Sequence, residues 1–133
     1  MKRNIVILCL LVVVGTAFGV VAILNAQEPS LKRIEVLRVD MAGMEGKEAH
    51  MRVAEITPGA STDKHSHPTP RFVYVMEGSV TVEFEGESTQ DFTAGEGFQE
   101  KPGVEHTLRN ASTTEAAKAL GFQIAGSGQP LQY

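Results

Sequence analysis

Three of the four histidines fall in positions where they could grip a common ligand. His65-Ser66-His67 places two imidazoles at i and i+2. On an extended chain residues two apart point to the same face, so both rings can approach one ion. His106 lies well down the chain, between Gly103 and Asn110. Neutral imidazole is the commonest metal ligand near neutral pH, so the three define a candidate site for one divalent ion. His50, beside Arg52 and outside both clusters, reads as a surface histidine. The single cysteine, Cys9, lies in an uncharged N-terminal run. The rest of the chain therefore has no thiol, which excludes thiolate catalysis and cysteine-based zinc sites there.

The elements that must position these histidines read as strands. Past residue 30 apolar residues tend to alternate with polar ones, the period of a half-buried strand. The run Ile34 to Val39 suggests one strand and Met51 to Ile56 a second, ended by Thr57-Pro58-Gly59-Ala60. Phe72 to Met76 is continuously apolar, as expected of a strand covered on both faces. Val80, Val82 and Phe84 alternate with Thr81, Glu83 and Glu85, between turns at Gly78 and Gly86. Phe92, Phe98 and Val104 to Leu108 mark three short segments, and Ala117 to Ile124 a last strand. Short strands with turn signals about every ten residues indicate an all-β sandwich or barrel. Phe72, Phe84, Phe92, Phe98, Phe122 and Tyr74 are assigned to its core. Met41 and Met44 fall in a loop or hairpin and read as packing filler. The tail from residue 126, rich in Gly and Gln, is either loose or wrapped on the barrel.

Two longer patterns sharpen this reading. From Gly59 the chain reads Gly, five residues, His65, one residue, His67, then Tyr74-Val75-Met76-Glu77-Gly78. From Gly95 it reads Gly, five residues, Lys101, one residue, Gly103, two residues, His106, three residues, Asn110. These resemble the two signature motifs of the cupin superfamily, and the sixteen residues between Gly78 and Gly95 resemble the short gap of small bacterial cupins. The resemblance implies an all-β, cupin-like jelly-roll β-barrel (a double-stranded β-helix) over residues 31–125. It also implies a metal ion in the barrel mouth (Fe, Mn, Zn, Ni or Cu) on His65, His67 and His106. The turn glycines of the motifs correspond to Gly59, Gly78, Gly95 and Gly103.

Two positions depart from the motifs. Lys101 stands for a proline, with Pro102 beside it. Arg71 stands where the family's ligand glutamate would be, and an arginine has no lone pair to offer a metal. One reading is a three-histidine centre, similar in ligand set to cysteine dioxygenase and gentisate dioxygenase, in which Arg71 binds an anionic group of the ligand. The other is that Arg71 repels metal and leaves a metal-free binding barrel. Glu100, six residues before His106, could replace the missing carboxylate, although a solvated strand residue is the simpler expectation.

The first 26 residues read as a targeting element. Lys2 and Arg3 precede an uncharged apolar run ending near Asn25-Ala26, the layout of a secretory signal. Twenty such residues could also span a bilayer, so both a cleaved signal and an uncleaved anchor fit. Each exports the domain, to the periplasm or outside the cell, and only the anchor keeps it on the membrane. After residue 27 ten basic residues face sixteen acidic ones, a net of −6. Without a basic patch, nucleic acid is not an expected partner. Three functions stay open: a metal-dependent enzyme of the dioxygenase, lyase or isomerase type acting on a small anionic molecule, a non-catalytic small-ligand-binding module, and a homodimeric assembly built through the sheet.

Overall fold

The structure is a computed structural model that describes residues 28–133; the N-terminal segment read above as a targeting element lies outside the described residues. Eight strands follow in order: β1 (Leu31–Asp40), β2 (Lys47–Ile56), β3 (Arg71–Glu77), β4 (Ser79–Phe84), β5 (Gln90–Thr93), β6 (Gly97–Glu100), β7 (His106–Asn110) and β8 (Ala117–Gly126). They form a five-stranded sheet, β1-β2-β8-β3-β6, and a three-stranded sheet, β5-β4-β7. Every pairing is antiparallel. The non-sequential neighbours, with β8 between β2 and β3, give the jelly-roll path expected from the sequence. Each strand expected from alternation is present, and the Met41–Lys47 segment closes the β1–β2 hairpin through Met41 N–H to Lys47 O at 2.9 Å.

The pleat sorts the inner face into two ends. Ile56 and Ala54 of β2, Val75 of β3, Val80, Val82 and Phe84 of β4, Leu108 of β7 and Ala117 of β8 form the buried core. Stepping two residues at a time away from this core, β2 presents Arg52 and His50, β3 presents Arg71, and β8 presents Gly121 and Gln123. One end of the barrel is thus apolar and packed, and the other is polar. The small inward residues Ala117, Ala119 and Gly121 on β8 leave the lumen free for longer side chains from its neighbours.

The outer face of the large sheet corrects the sequence reading. Phe72 is 53% exposed and Tyr74 50% exposed, so neither is core. Only Val73 and Val75 of the apolar β3 run are buried, because the strand is covered on one face, not two. Phe84 is buried, with Phe98 and Phe92 packed against the core, and Phe98 stacks on Phe92 at 4.3 Å between centroids. The tail does not hang free: Tyr133 and Ser66 exchange two backbone hydrogen bonds, at 2.9 and 3.1 Å.

The β3–β4 turn depends on Gly78. Its φ is +70°, and a Cβ there would come 2.7 Å from the Ala116 carbonyl oxygen. Gly86 has a similar φ of +78° with open space around it. A left-handed backbone costs a non-glycine residue about 1–2 kcal/mol, so Gly86→Ala should lose about that much. Gly78→Ala carries the added collision with β8 and should melt several degrees lower than Gly86→Ala. Equal melting temperatures would show that the turn relaxes freely.

Candidate metal centre

His65 and His67 lie in the β2–β3 connection, not in a regular strand. Their convergence comes from a local bridge instead. His65 and His106 exchange backbone hydrogen bonds at 3.0 and 2.8 Å, which fixes the connection against the start of β7. The ring centroids then lie 4.5 Å apart for His65–His106, 5.0 Å for His65–His67 and 5.2 Å for His67–His106. All three residues are buried, and their candidate ligand atoms fall within 4.8 Å of one another.

The hydrogen bonds settle which nitrogens converge. His65 Nδ1 lies 2.9 Å from Asp63 O, His67 Nδ1 2.7 Å from Leu131 O, and His106 Nδ1 3.1 Å from Val104 O. A carbonyl oxygen only accepts, so each Nδ1 carries the proton. In the neutral ring Nε2 is then a lone-pair donor, the arrangement by which outer hydrogen bonds orient metal-ligating imidazoles. All three Nε2 atoms are buried without an aligned hydrogen-bond partner. Three pinned, dehydrated lone pairs facing one point fit a bound cation. The Leu131 carbonyl comes from the C-terminal tail, a contribution that no local sequence pattern announces.

Glu100 is the residue that the sequence reading underrated. It is 1% exposed, not solvated, because β6 pairs Arg71 directly with Glu100 across from β3 and turns both inward. Its Oε2 lies 3.0 Å from His67 Nε2 and its Oε1 3.4 Å from His106 Nε2. The oxygens are close, yet no aligned hydrogen bond joins them to these nitrogens. Burial alone would raise the Glu100 pKa; contact with His106 and His67 and the charge of Arg71 outweigh it and hold the carboxyl well below the usual range. Burial likewise opposes a proton on His106, but Glu100 outweighs it and raises that pKa, whereas for His65 burial wins and lowers it. A carboxylate facing neutral Nε2 lone pairs is repulsive unless positive charge lies between them, as a proton or as a metal ion.

Arg71 Nη1 lies 3.2 Å from Glu100 Oε2. The carboxylate of the site thus comes from β6, while β3 carries an arginine where the cupin-like pattern has its glutamate. Gly121 makes room for this, since any Cβ there would collide with the Arg71 guanidinium. His50 is also corrected. It is 5% exposed, not a surface residue, with Nε2 3.3 Å from Glu48 Oε2 and neither ring nitrogen well hydrogen-bonded. It stays apart from the three-histidine cluster.

Fold and site together define a small antiparallel jelly-roll barrel with a histidine-lined mouth. The family model for the cupin domain matches residues 52–121, and the chain belongs to that family. Among solved structures it is similar to a cupin-like protein from Thermotoga maritima, with a TM-score of 0.62, 21% identity, and 77% of this chain and 74% of that chain covered. A cupin 2 domain-containing protein from Halorhodospira halophila gives 0.61, 21%, 77% and 68%. A DMSP lyase from Ruegeria pomeroyi gives 0.61, 15%, 77% and 50%, so this chain spans half of that protein's length. These likenesses establish the fold. No curated protein matches the sequence.

Proposed function

We propose that the domain is an exported, metal-dependent cupin that holds one divalent ion on His65, His67 and His106, with Glu100 as a fourth donor, and binds a small anionic molecule beside it. The observation that carries this reading is the convergence of three buried Nε2 lone pairs, each fixed by an Nδ1 hydrogen bond to a backbone carbonyl. Imidazole and carboxylate donors suit Fe, Mn, Zn, Ni or Cu. The ion would supply Lewis acidity and, if redox-active, oxygen chemistry of the dioxygenase kind. The protein's own groups would do the rest: Glu100 offsets part of the ion's positive charge, and Arg71 holds Glu100 in place and offers its remaining donors to an anionic group. Lys2, Arg3 and the apolar run after them support export, as cleaved signal or anchor. The half-exposed face carrying Phe72, Tyr74 and Met76 supports a homodimer.

The Arg71–Glu100 pair favours a second reading, a metal-free binding module, since it neutralises Glu100 without an ion. Elemental analysis of the purified full chain separates the two. About one divalent ion per chain is expected, with oxygen uptake on a panel of small carboxylates and catechols; an ion without turnover leaves a metal-dependent binder. A chain that takes up no divalent ion after dialysis against each metal rejects the centre. Cell fractionation tests export: soluble protein in the cytoplasm with Met1 intact would overturn it.

A further inference from the structure

Beyond the metal centre the barrel mouth carries more positive charge than the centre uses. The register places Arg33 of β1 opposite Ala54, Arg52 of β2 opposite Gly121, and Gly121 opposite Val73 of β3, two residues from Arg71. By the pleat, Arg33, Arg52 and Arg71 therefore project from three strands on the same face, one two-residue step apart along the barrel. They line a narrow recess, open to solvent, that also touches His67, His50 and Gln123. A second recess, on the side of His65 and Glu100, is lined by Arg33 and Arg71 as well. Arg33 and Arg71 thus border both spaces.

The three arginines are not equally committed. Arg71 is tied to buried Glu100. Arg52 meets Glu35 at 3.4 Å, with both side chains substantially exposed, a pair worth little in water. Arg33 has no acidic partner within ion-pair distance among the described residues. Its guanidinium pKa is lowered by partial burial and then by the charges of Arg71 and Arg52, so the cations crowd one another. Gln123 spends its amide N–H groups on Thr69 Oγ1 and the Leu131 carbonyl. His50, nine-tenths buried at the wall of the same recess, has ring nitrogens without aligned partners; Glu48 is the acidic group beside it. The recess itself is lined by three arginines and no carboxylate, in a chain that is acidic overall.

We infer that Arg33 and Arg52, with His50 behind them, form an oxyanion-binding subsite, so that the ligand is a bifunctional small anion: an oxygen donor at the end near His65, His67 and His106, and a carboxylate-like or phosphate-like group between the arginines. This rests on the reading above for the metal end only; the subsite itself is made of residues that bind no metal. Arg71, engaged by Glu100, is the hinge between the two ends and not the main anion contact. Planar guanidinium groups suit such oxyanions because they donate two parallel N–H bonds.

Anion binding to the full chain, stripped of metal, tests the subsite independently of the centre. Succinate and inorganic phosphate are titrated calorimetrically, with succinamide as the neutral control. Both anions should bind and the amide should not. Arg33→Gln and Arg52→Gln should each weaken anion binding at least tenfold, while Glu35→Gln, which frees Arg52, should leave it equal or stronger. Circular dichroism of each variant confirms folding. Anion binding unchanged in both arginine variants, or no anion binding at all, overturns the subsite. Anions that bind only with metal present and ignore the arginine changes overturn it too, yet leave the metal centre standing. Loss of metal binding with the anion profile intact does the reverse.

Discussion

His65→Ala combined with His106→Ala is expected to reduce the divalent metal content from about one ion per chain to a trace. The two residues are held together by reciprocal backbone bonds, and their Nε2 atoms form two of the three converging lone pairs. Removing both leaves His67 and Glu100, too few donors to retain an ion against dialysis, since closed protein sites use four ligands and catalytic sites three. Glu100→Gln should show a smaller loss, on the order of 10- to 100-fold in affinity, comparable to the loss of an outer-shell partner, because three histidines and an amide oxygen remain. The shape is kept and the charge is lost. Arg71→Ala should leave metal affinity equal or higher, because it removes a cation 3.2 Å from the Glu100 carboxylate. Inductively coupled plasma analysis with competitive titration reads all three. Full metal content in the double variant means the ion binds elsewhere. An unaltered affinity in Glu100→Gln means the carboxylate serves Arg71 alone.

How much of this was visible in the sequence depends on the range of the interaction. The eight strands were legible because alternation is local: Val80, Val82 and Phe84 declare their inner face within one strand. The histidines were legible because two lie two residues apart and the third sits in a recognisable frame of glycines. The Glu100 position was not, since its burial follows from a cross-strand pairing with Arg71 that only the β3–β6 register sets. The Leu131 carbonyl was invisible for the same reason: a backbone oxygen 64 residues from His67 carries no sequence signature. His50 misled because a polar residue beside an arginine resembles a surface strand, whereas the barrel mouth turns that face inward. Phe72 and Tyr74 misled in the opposite sense, because a continuous apolar run does not reveal whether one or both faces are covered. The outer face of this sheet is apolar and half exposed.

Opposite pH responses of the metal-free and metal-loaded protein follow from the same contacts. In the metal-free chain the His106 pKa is raised by Glu100 against its own burial. Its stabilisation is complete below the unfolded value of about 6.5 and is lost as pH rises through the folded value. The His65 pKa is lowered by burial, so the folded state disfavours a proton that the unfolded chain accepts, and stability falls as pH drops below about 6.5. The depressed Glu100 carboxyl adds stability above about 4.3 that is lost as pH falls through its folded value. Metal-free stability should therefore peak near pH 6.5, roughly the unfolded histidine value, and decline on both sides. The metal-loaded chain behaves differently on the alkaline side. The ion requires Nε2 without a proton, so its binding displaces the His106 proton and strengthens as pH rises. At a hundredfold excess over Kd the ion adds about 2.7 kcal/mol, equivalent to roughly 10–20 °C in a domain of this size. The gap between the two melting temperatures should thus widen from pH 6 to pH 8, read by scanning calorimetry with and without chelator. A metal-free melting temperature that climbs steadily from pH 6.5 to 8 would show that Glu100 does not hold a proton on His106 in solution.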